Sequence, residues 1–206
     1  MYEGVIVLAG GTAARLGGVS KPDVVVAGRR MLDHVLESLP SGVVAVVVAP
    51  ESVAVPDGVI RTLEDPPLGG PAAGIRAGFD ALRPALGDDA VVAVVTCDAP
   101  LVGRALPVMA DALAVGVRAV DTGHALPVLA RMGDLGAVLD AVGDARDMSV
   151  RRLLRPLDPV AADVDPAWVE DLDDWDDVDR FERRNSQRSK CHKSRNYETT
   201  SIESLR

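Results

Sequence analysis

A glycine-rich turn that carries one arginine and one lysine follows the first apolar run of the chain, in VIVLAGGTAARLGGVSKP. Gly10 and Gly11 would let a nucleotide approach the backbone, whose N–H and C=O groups can bind phosphate or a base. Arg15 and Lys21 bring positive charge to the same loop, and Lys21 is the only lysine in the first 184 residues. The loop is a candidate phosphate site, and the alternative is an ordinary turn with solvated charges.

Two common phosphate-binding motifs do not describe this loop. A P-loop has its lysine directly after the second glycine, whereas three residues separate Gly17 from Lys21. The dinucleotide motif G-x-G-x-x-G is also excluded, because Gly10 and Gly11 are adjacent. Any nucleotide binding here must therefore use another arrangement.

A second candidate for chemistry is Asp98, in the segment TCDAP that follows a long apolar run. A carboxylate at a strand end is well placed to bind Mg²⁺, which uses one or two carboxylates together with substrate phosphates. The alternative is a helix-capping or turn aspartate. Cys97 is expected to be a small buried side chain. His124, in DTGHALP, could contact substrate or be solvated.

The elements that must position these residues alternate along the chain. Strands are predicted at 4–9, 42–50, 59–65 and 90–100, and helices at 31–39, 71–82 and 105–115. This order predicts an α/β protein with a three-layer α/β/α, Rossmann-like fold and a mainly parallel sheet. Ligands of such sheets bind beyond the carboxyl ends of the strands, where Gly10, Gly11, Asp65 and Asp98 fall.

Composition narrows the class of protein. The 206 residues suit one domain, and 48% hydrophobic with 3% aromatic residues predicts a core of Val, Leu and Ala. A net charge of −9 argues against nucleic-acid binding. No run approaches the ~18 apolar residues of a membrane span. Two cysteines and no apolar leader predict a cytoplasmic location.

The domain is predicted to cover residues 1–184. Residues 165–184 are strongly acidic and include a predicted final helix from about Trp175. Residues 185–206 change abruptly to a polar, lysine-containing composition, which predicts a disordered or foreign tail.

Three motifs taken together carry a family resemblance: LAGG...R.GG..KP, EDPPLGGPAAG and TCDAP. In order and spacing they resemble the nucleotidyltransferases that make sugar nucleotides and cofactors, and most closely the MobA-like molybdenum cofactor guanylyltransferases. DTGHALPVLA, SVRRLL and DLDDWDDVDRFE resemble later segments of that family. The resemblance covers residues 4–184 in segments and implies the fold of the nucleotide-diphospho-sugar transferases.

The resemblance implies a role for each matching residue. The nucleotide would lie against the backbone of Leu8, Ala9, Gly10 and Gly11, with Gly70 and Gly74 against the guanine and Asp65 at the nucleoside. Lys21, with Arg15 of the same loop, would act on the triphosphate, and Asp98 would bind Mg²⁺. His124, Arg151 and Arg152 would contact the acceptor.

Two departures from the family pattern affect these roles. Ala49 stands where the family often has asparagine, so any contact there must come from the backbone. The closing pattern N-x-N-T-P-E reads DLDDWD, with Asp171 and Asp173 for asparagines and Trp175 for proline. Asp173 could be a second metal ligand, or the segment could only close the domain.

The resemblance implies transfer of GMP from GTP to the terminal phosphate of molybdopterin, with release of pyrophosphate and with Mg²⁺ as cofactor. The pair LAGG, where cytidylyl relatives tend to have LAAG, favours guanine. Alternatives are a molybdopterin cytidylyltransferase, a sugar-1-phosphate nucleotidyltransferase, and a nucleotide-binding regulator without catalysis. Oligomeric state and a protein partner that delivers the pterin are left open.

Overall fold

The structure is a computed structural model that describes residues 1–10, 12–13, 16–113 and 116–186. Gly11 and Arg15 lie outside the described residues, so their predicted roles stay predictions. Residues 187–206, which make up most of the predicted disordered or foreign tail, also lie outside them.

A seven-stranded sheet forms the centre of the described chain. Its strands are β1 (Gly4–Leu8), β2 (Val44–Val48), β3 (Ile60–Thr62), β4 (Val91–Thr96), β5 (Ala119–Asp121), β6 (Val128–Arg131) and β7 (Val160–Ala161). The strand order is β7-β5-β6-β4-β1-β2-β3. β6 runs antiparallel to both its neighbours, and the other pairings are parallel. The prediction of a mainly parallel sheet is confirmed.

Helices cover both faces of this sheet. They are α1 (Met31–Glu37), α2 (Pro71–Leu82), α3 (Ala105–Ala112), α4 (Met132–Val142), α5 (Val150–Leu154) and α6 (175–186). One apolar cluster contains residues of α1 and α3, and a second contains residues of α2, α4 and α5. The predicted three-layer α/β/α fold is therefore present, since the sheet separates two helical layers.

Strand β1 shows why its sequence is a continuous apolar run. Val5 and Val7 belong to one cluster and Ile6 to the other, and all three are fully buried. Because successive side chains of a strand point to opposite faces, a strand covered on both sides needs no polar alternation. On the second face α2 packs closely, since a Cβ on Gly78 would lie 2.4 Å from Ile6 Cγ2.

Several elements differ from the sequence-based expectations. α2 has the predicted bounds, and the final helix begins at 175 as predicted but includes residues 185 and 186. Strands β5 and β7 and helix α4 were not predicted. β7 has only two residues, both exposed, so it lacks the apolar run that identified the longer strands.

A third apolar cluster joins the C-terminal segment to the loop that carries Lys21. Its members are Leu16, Val24, Val26, Met31, Leu172, Val178 and Phe181. The Ala27 backbone N–H donates to Glu182 Oε1 at 2.9 Å, and the rings of Phe181 and His34 meet edge to face with centroids 6.0 Å apart. Helix α6 therefore fixes the position of the Lys21 loop.

Phe181→Ala is expected to lower the free energy of unfolding by about 3 kcal/mol, because it leaves a cavity between α6 and the Lys21 loop. Phe181 is 5% exposed. Urea denaturation measures the change, with Val108→Ala, at a 39% exposed position of α3, as the matched control. A loss no larger than that of the control would show that α6 does not hold the loop.

None of the described helices has the length and apolar character needed to cross a membrane.

Candidate active site

The carboxyl ends of three neighbouring strands bring the predicted site residues to one edge of the sheet. Leu8, the last residue of β1, is opposite Val48 of β2 and Thr96 of β4. The Cys97 N–H donates to the Leu8 carbonyl at 3.0 Å, which extends the pairing past the end of β4. Asp98 follows directly, so the glycine-rich loop and this carboxylate meet at the predicted edge.

Lys21 bridges two aspartates at this edge. It begins a 3-10 turn, Lys21–Asp23, whose Pro22 is buried. Its Nζ lies 2.6 Å from Asp98 Oδ2 and 2.5 Å from Asp173 Oδ1. Burial acts to lower the pKa of Lys21, but the hydrogen bonds to Asp173 and Asp98 and their charges outweigh it and raise the pKa. The ammonium therefore stays charged at neutral pH.

The other oxygen of Asp98 has no such partner in the part of the chain that the structure describes. Asp98 Oδ1 is buried and accepts no hydrogen bond from the described residues. Buried carboxylate oxygens are normally paired, and an unpaired one is costly unless a ligand completes the site. A cation at Oδ1 would supply the missing partner, which is a physical reason to place a metal at this aspartate.

The segment before α6 brings two more carboxylates to the site. The Leu172 N–H donates to the Asp98 carbonyl oxygen at 2.9 Å and anchors this segment to the end of β4. Asp171 accepts a hydrogen bond of 3.4 Å from Thr96 Oγ1. Burial, together with the charges of Asp98 and Asp173, raises the pKa of Asp171 to about 6. Among the described residues, three carboxylates therefore surround the one ammonium of Lys21, and negative charge is in excess.

Asp173 is positioned by the start of α6. Asp177 Oδ2 accepts from the N–H groups of Asp173 and Asp174 at 3.0 and 3.1 Å, and Asp174 Oδ1 accepts from the Asp177 N–H at 2.9 Å. This reciprocal pair resembles a capping box, in which a residue before the helix and one in its first turn satisfy each other's backbone. It holds the chain on which Asp173 faces Lys21.

A cavity of about 250 Å³ lies beside the ends of β1 and β2. Its lining residues are Leu8, Gly10, Val48, Glu64, Leu68, Gly70, Pro71 and Gly74. Four of them were predicted to line the nucleotide: Leu8, Gly10, Gly70 and Gly74. The structure thus brings the first and second sequence motifs together around one space, which we call the base cavity.

Two predicted nucleotide contacts do not line the base cavity. Asp65 lines a different cavity of about 380 Å³, together with Arg76 and Arg146. Ala9 is 2% exposed and its N–H already donates to the Val48 carbonyl at 2.9 Å. The N–H of Ala49 likewise donates to the Thr62 carbonyl, so it is not free for the contact expected of the backbone there.

A larger cleft of about 910 Å³ opens on the other side of the Lys21 site, and we call it the acceptor cleft. Its lining residues are Thr96, His124, Ala125, Leu126, Val150, Asp165, Pro166, Ala167, Val169, Glu170, Asp171 and Arg184. Thr96 and Asp171 connect it to the Lys21 site. Arg184 is already paired with Glu170, so the cleft carries more carboxylates than free cations among the described residues.

Two of the three residues predicted to contact the acceptor, His124 and Arg151, lie together in the structure, and Arg152 lies apart from them. His124 lines the acceptor cleft and also an adjoining cavity of about 230 Å³, which Arg151 and Arg155 line as well. Arg152 lines neither of these spaces. Its backbone N–H is 3.3 Å from Ser149 Oγ, the N-cap of α5. Arg155 was not predicted, although its spacing of four from Arg151 places both on one helical face.

Comparison with known proteins adds the family to this geometry. Residues 5–160 match the model of the MobA-like NTP transferase domain. The chain belongs to this family. The sequence-based prediction of a MobA-like nucleotidyltransferase is therefore confirmed.

Solved structures similar to this MobA-like chain share its fold. A nucleotidyl transferase from Methanothermobacter thermautotroptrophicus is 20% identical with a TM-score of 0.64, over 88% of this chain and 96% of that one. Molybdopterin-guanine dinucleotide biosynthesis protein A from Archaeoglobus fulgidus is 22% identical with a TM-score of 0.62, over 89% and 99%. The 2-C-methyl-D-erythritol 4-phosphate cytidylyltransferase from Thermus thermophilus is 18% identical with a TM-score of 0.59, over 89% and 98%. Comparison with curated proteins gave no significant match.

The base cavity of this MobA-like chain contains one residue that the sequence did not single out. Glu64 lines it and stands directly before Asp65, which was predicted instead. Both carboxylates follow β3, and the pattern of residues does not show which of two neighbours turns toward the cavity. The sequence therefore indicated an acidic residue at this point but not which of Glu64 and Asp65 lines the cavity.

Metal binding in this MobA-like chain would be shared with a ligand. The described part of the chain holds no group of three or more His, Cys, Asp or Glu side chains placed to bind a metal ion. Mg²⁺ needs only one or two carboxylates when substrate phosphates complete its coordination. Asp98, with its unpaired oxygen, and the nearby Asp173 fit that mode.

Proposed function

We propose that this nucleotidyltransferase transfers GMP from GTP to the terminal phosphate of molybdopterin and releases pyrophosphate. The observation that carries the proposal is the order of three sites along the carboxyl edge of the sheet. The base cavity lies at β1 and β2, the Lys21 site at β4, and the acceptor cleft beyond it. Donor base, reacting phosphates and acceptor would then lie in a row.

The choice of GTP rests on the two glycine motifs. LAGG and GGPAAG both contribute to the base cavity, and both match the guanylyl members of the family in the sequence resemblance. The fold is shared with molybdopterin-guanine dinucleotide biosynthesis protein A, which supports the proposal, and equally with a cytidylyltransferase, which keeps the cytidylyl alternative open.

The choice of acceptor rests on the shape of the acceptor cleft. Leu126, Val150 and Val169 give it apolar walls against which a flat pterin ring could pack. His124, Arg151 and Arg155 in the adjoining cavity offer donors to polar groups at its far end. We propose that the terminal phosphate points from this cleft toward Lys21.

The transfer needs no general base in this chain. A phosphate monoester has a second pKa of about 6, so the attacking oxygen is already largely unprotonated at neutral pH. That oxygen forms a bond to the α-phosphorus of GTP. The bond between the α-phosphorus and the oxygen that bridges it to the β-phosphate breaks, and pyrophosphate leaves with the electron pair of that bond. The remaining task is to stabilise negative charge where it accumulates.

The residues of the Lys21 site have distinct parts in that task. Lys21 is a compact ammonium, charged at neutral pH, that can follow a moving phosphate better than a planar guanidinium. Asp98 and Asp173 hold Lys21 in place and would hold Mg²⁺, since Asp98 Oδ1 is buried and unpaired among the described residues. Bound Mg²⁺ would neutralise charge on the α-phosphate and on the leaving pyrophosphate.

The purified protein is expected to prefer GTP over CTP and ATP by about 10-fold or more in kcat/KM, because the other bases leave buried polar groups unpaired. The measurement is pyrophosphate release with molybdopterin and each triphosphate in turn.

Three outcomes would contradict parts of the proposal. Equal or higher rates with CTP would support the cytidylyl alternative. Release with a sugar 1-phosphate but not with molybdopterin would exclude the proposed acceptor. Binding of GTP without pyrophosphate release from any acceptor would support a regulator.

A further inference from the structure

We infer that Glu64 is the residue that distinguishes guanine from the other bases, by accepting hydrogen bonds from the guanine N1–H and the exocyclic amine. This inference rests on the proposed use of GTP. It assigns the selectivity for guanine to a side chain, whereas the family resemblance implies only that Gly70 and Gly74 lie against the guanine.

Glu64 is the charged member of an otherwise apolar lining. It follows β3, which pairs with β2, and it reaches the base cavity beside Leu8 and Val48. The other described residues of the lining are Leu, Val, Pro and Gly, without polar side chains. An apolar cavity with one polar group placed in it is typical of specific small-ligand sites, because that group fixes the orientation of the ligand.

The Glu64 carboxylate is held at one oxygen and left open at the other. The Gly69 N–H donates to Oε1 at 3.2 Å. The Gly69 carbonyl in turn accepts from the Asp147 N–H at 2.9 Å, so the loop that holds the carboxylate is itself anchored. A Cβ on Gly74 would lie 3.9 Å from Oε2, so the glycine leaves that oxygen uncovered.

The backbone carbonyls of the glycine motif are less suited to the same task. The Gly70 carbonyl accepts from the Gly74 N–H at 3.1 Å as part of the first turn of α2. The Gly69 carbonyl is engaged with Asp147. Each of these two carbonyls therefore already accepts one hydrogen bond, whereas Glu64 Oε2 accepts none within the described part of the chain.

A carboxylate matches guanine and not the other bases. Guanine presents two adjacent donors, N1–H and the exocyclic amine, and an ionised carboxylate is an acceptor with two oxygens. Adenine and cytosine have an unprotonated ring nitrogen next to their amine. That nitrogen and the carboxylate are both acceptors, so no hydrogen bond could form between them. Uracil has a single N–H flanked by carbonyls. Specificity therefore follows from one side chain.

The variant Glu64→Gln tests whether this side chain recognises the base, because a different nucleotide, XTP, is complementary to glutamine. The glutamine amide offers one acceptor and one donor, which fits xanthine, since xanthine has N1–H beside a carbonyl. We expect the wild-type chain to bind GTP at least about 10-fold more tightly than XTP or ITP. We expect Glu64→Gln to shift the ratio of Kd values by at least about 10-fold toward XTP. Calorimetric titration of the full chain, with Mg²⁺ and without acceptor, measures the Kd values of GTP, XTP and ITP.

Two further variants separate recognition from folding. Glu64→Asp keeps the carboxylate and should keep the preference for GTP over XTP, with weaker binding of both. Glu51→Gln, at an exposed position, should leave every ratio unchanged.

The outcomes distinguish this inference from the function on which it rests. If the wild-type chain prefers GTP and Glu64→Gln keeps the wild-type ratio of GTP to XTP, or weakens both equally, Glu64 does not read the base although GTP is the substrate. If the wild-type chain binds CTP or ATP more tightly than GTP, both the inference and the proposed use of GTP are wrong.

Discussion

Asp98→Asn is expected to reduce pyrophosphate release by about 1,000-fold while leaving the fold intact. Asparagine keeps the shape of the side chain and a carbonyl acceptor for Lys21, whose Nζ lies 2.6 Å from Asp98 Oδ2. It removes the negative charge from the buried Oδ1 position, where we place the metal. Initial rates of pyrophosphate release over a range of Mg²⁺ concentrations, with thermal melting as a check of the fold, measure the effect.

The matched control for this variant is Asp111→Asn, at an exposed position of α3, which should match the wild-type rate. Asp173→Asn should be impaired less than Asp98→Asn, because Asp173 is half exposed and water can replace it. Near-normal turnover of Asp98→Asn at low Mg²⁺ would contradict the proposed site and move the search to Asp171 and Asp173.

Lys21→Ala is expected to reduce turnover by about 100-fold and Lys21→Arg by about 10-fold. Removal of the ammonium takes away charge that stabilises the transferred phosphates, and a guanidinium restores the charge but not the compact geometry. Lys21→Ala also leaves Asp98 and Asp173 without their shared cation, so the free energy of unfolding should fall by about 1 to 3 kcal/mol. Steady-state rates and urea denaturation measure the two effects separately.

Arg83→Ala, at an exposed position after α2, is the control for loss of a positive charge. Turnover of Lys21→Arg equal to that of the wild type would show that Lys21 is only a solvated loop residue. A stability loss in Lys21→Ala without a loss of activity would make the bridge a purely structural ion pair.

Long buried elements of this fold could be predicted from the sequence. β1 and β4 are continuous apolar runs because both faces of the sheet are covered, and α2 begins at a proline and shows a helical apolar pattern. Two of the short strands could not be predicted in the same way. β5 and β7 have three and two residues, and partners distant in sequence determine their pairing. Such elements carry too few side chains to show a period.

Residues of the candidate site could be predicted where their type is rare in the sequence. They could not be predicted where two adjacent residues have the same charge. The sequence singled out Lys21 as the only lysine in the first 184 residues and Asp98 as the aspartate after the strongest strand, and the structure brings them together although they are 77 positions apart. Glu64 and Asp65 are adjacent acids, and the way in which the chain leaves β3 decides that Glu64 lines the base cavity. The Gly69 and Gly70 carbonyls of the glycine motif each already accept one backbone hydrogen bond, and these bonds depend on the folded loop and not on the residue pattern.

The apolar cluster between α6 and the Lys21 loop affects how this chain folds during its own translation. Asp173 lies 152 positions after Lys21, and Leu172, Val178 and Phe181 belong to the same late part of the chain. During translation Lys21 leaves the ribosome long before these residues are synthesised. Until then Leu16, Val26 and Met31 lack the side chains against which they pack in the folded protein. Contacts this distant in sequence form late and slowly. A chain interrupted before residue 172 would therefore be both inactive and prone to aggregate, and the reactive site is assembled only when synthesis of the domain is almost finished.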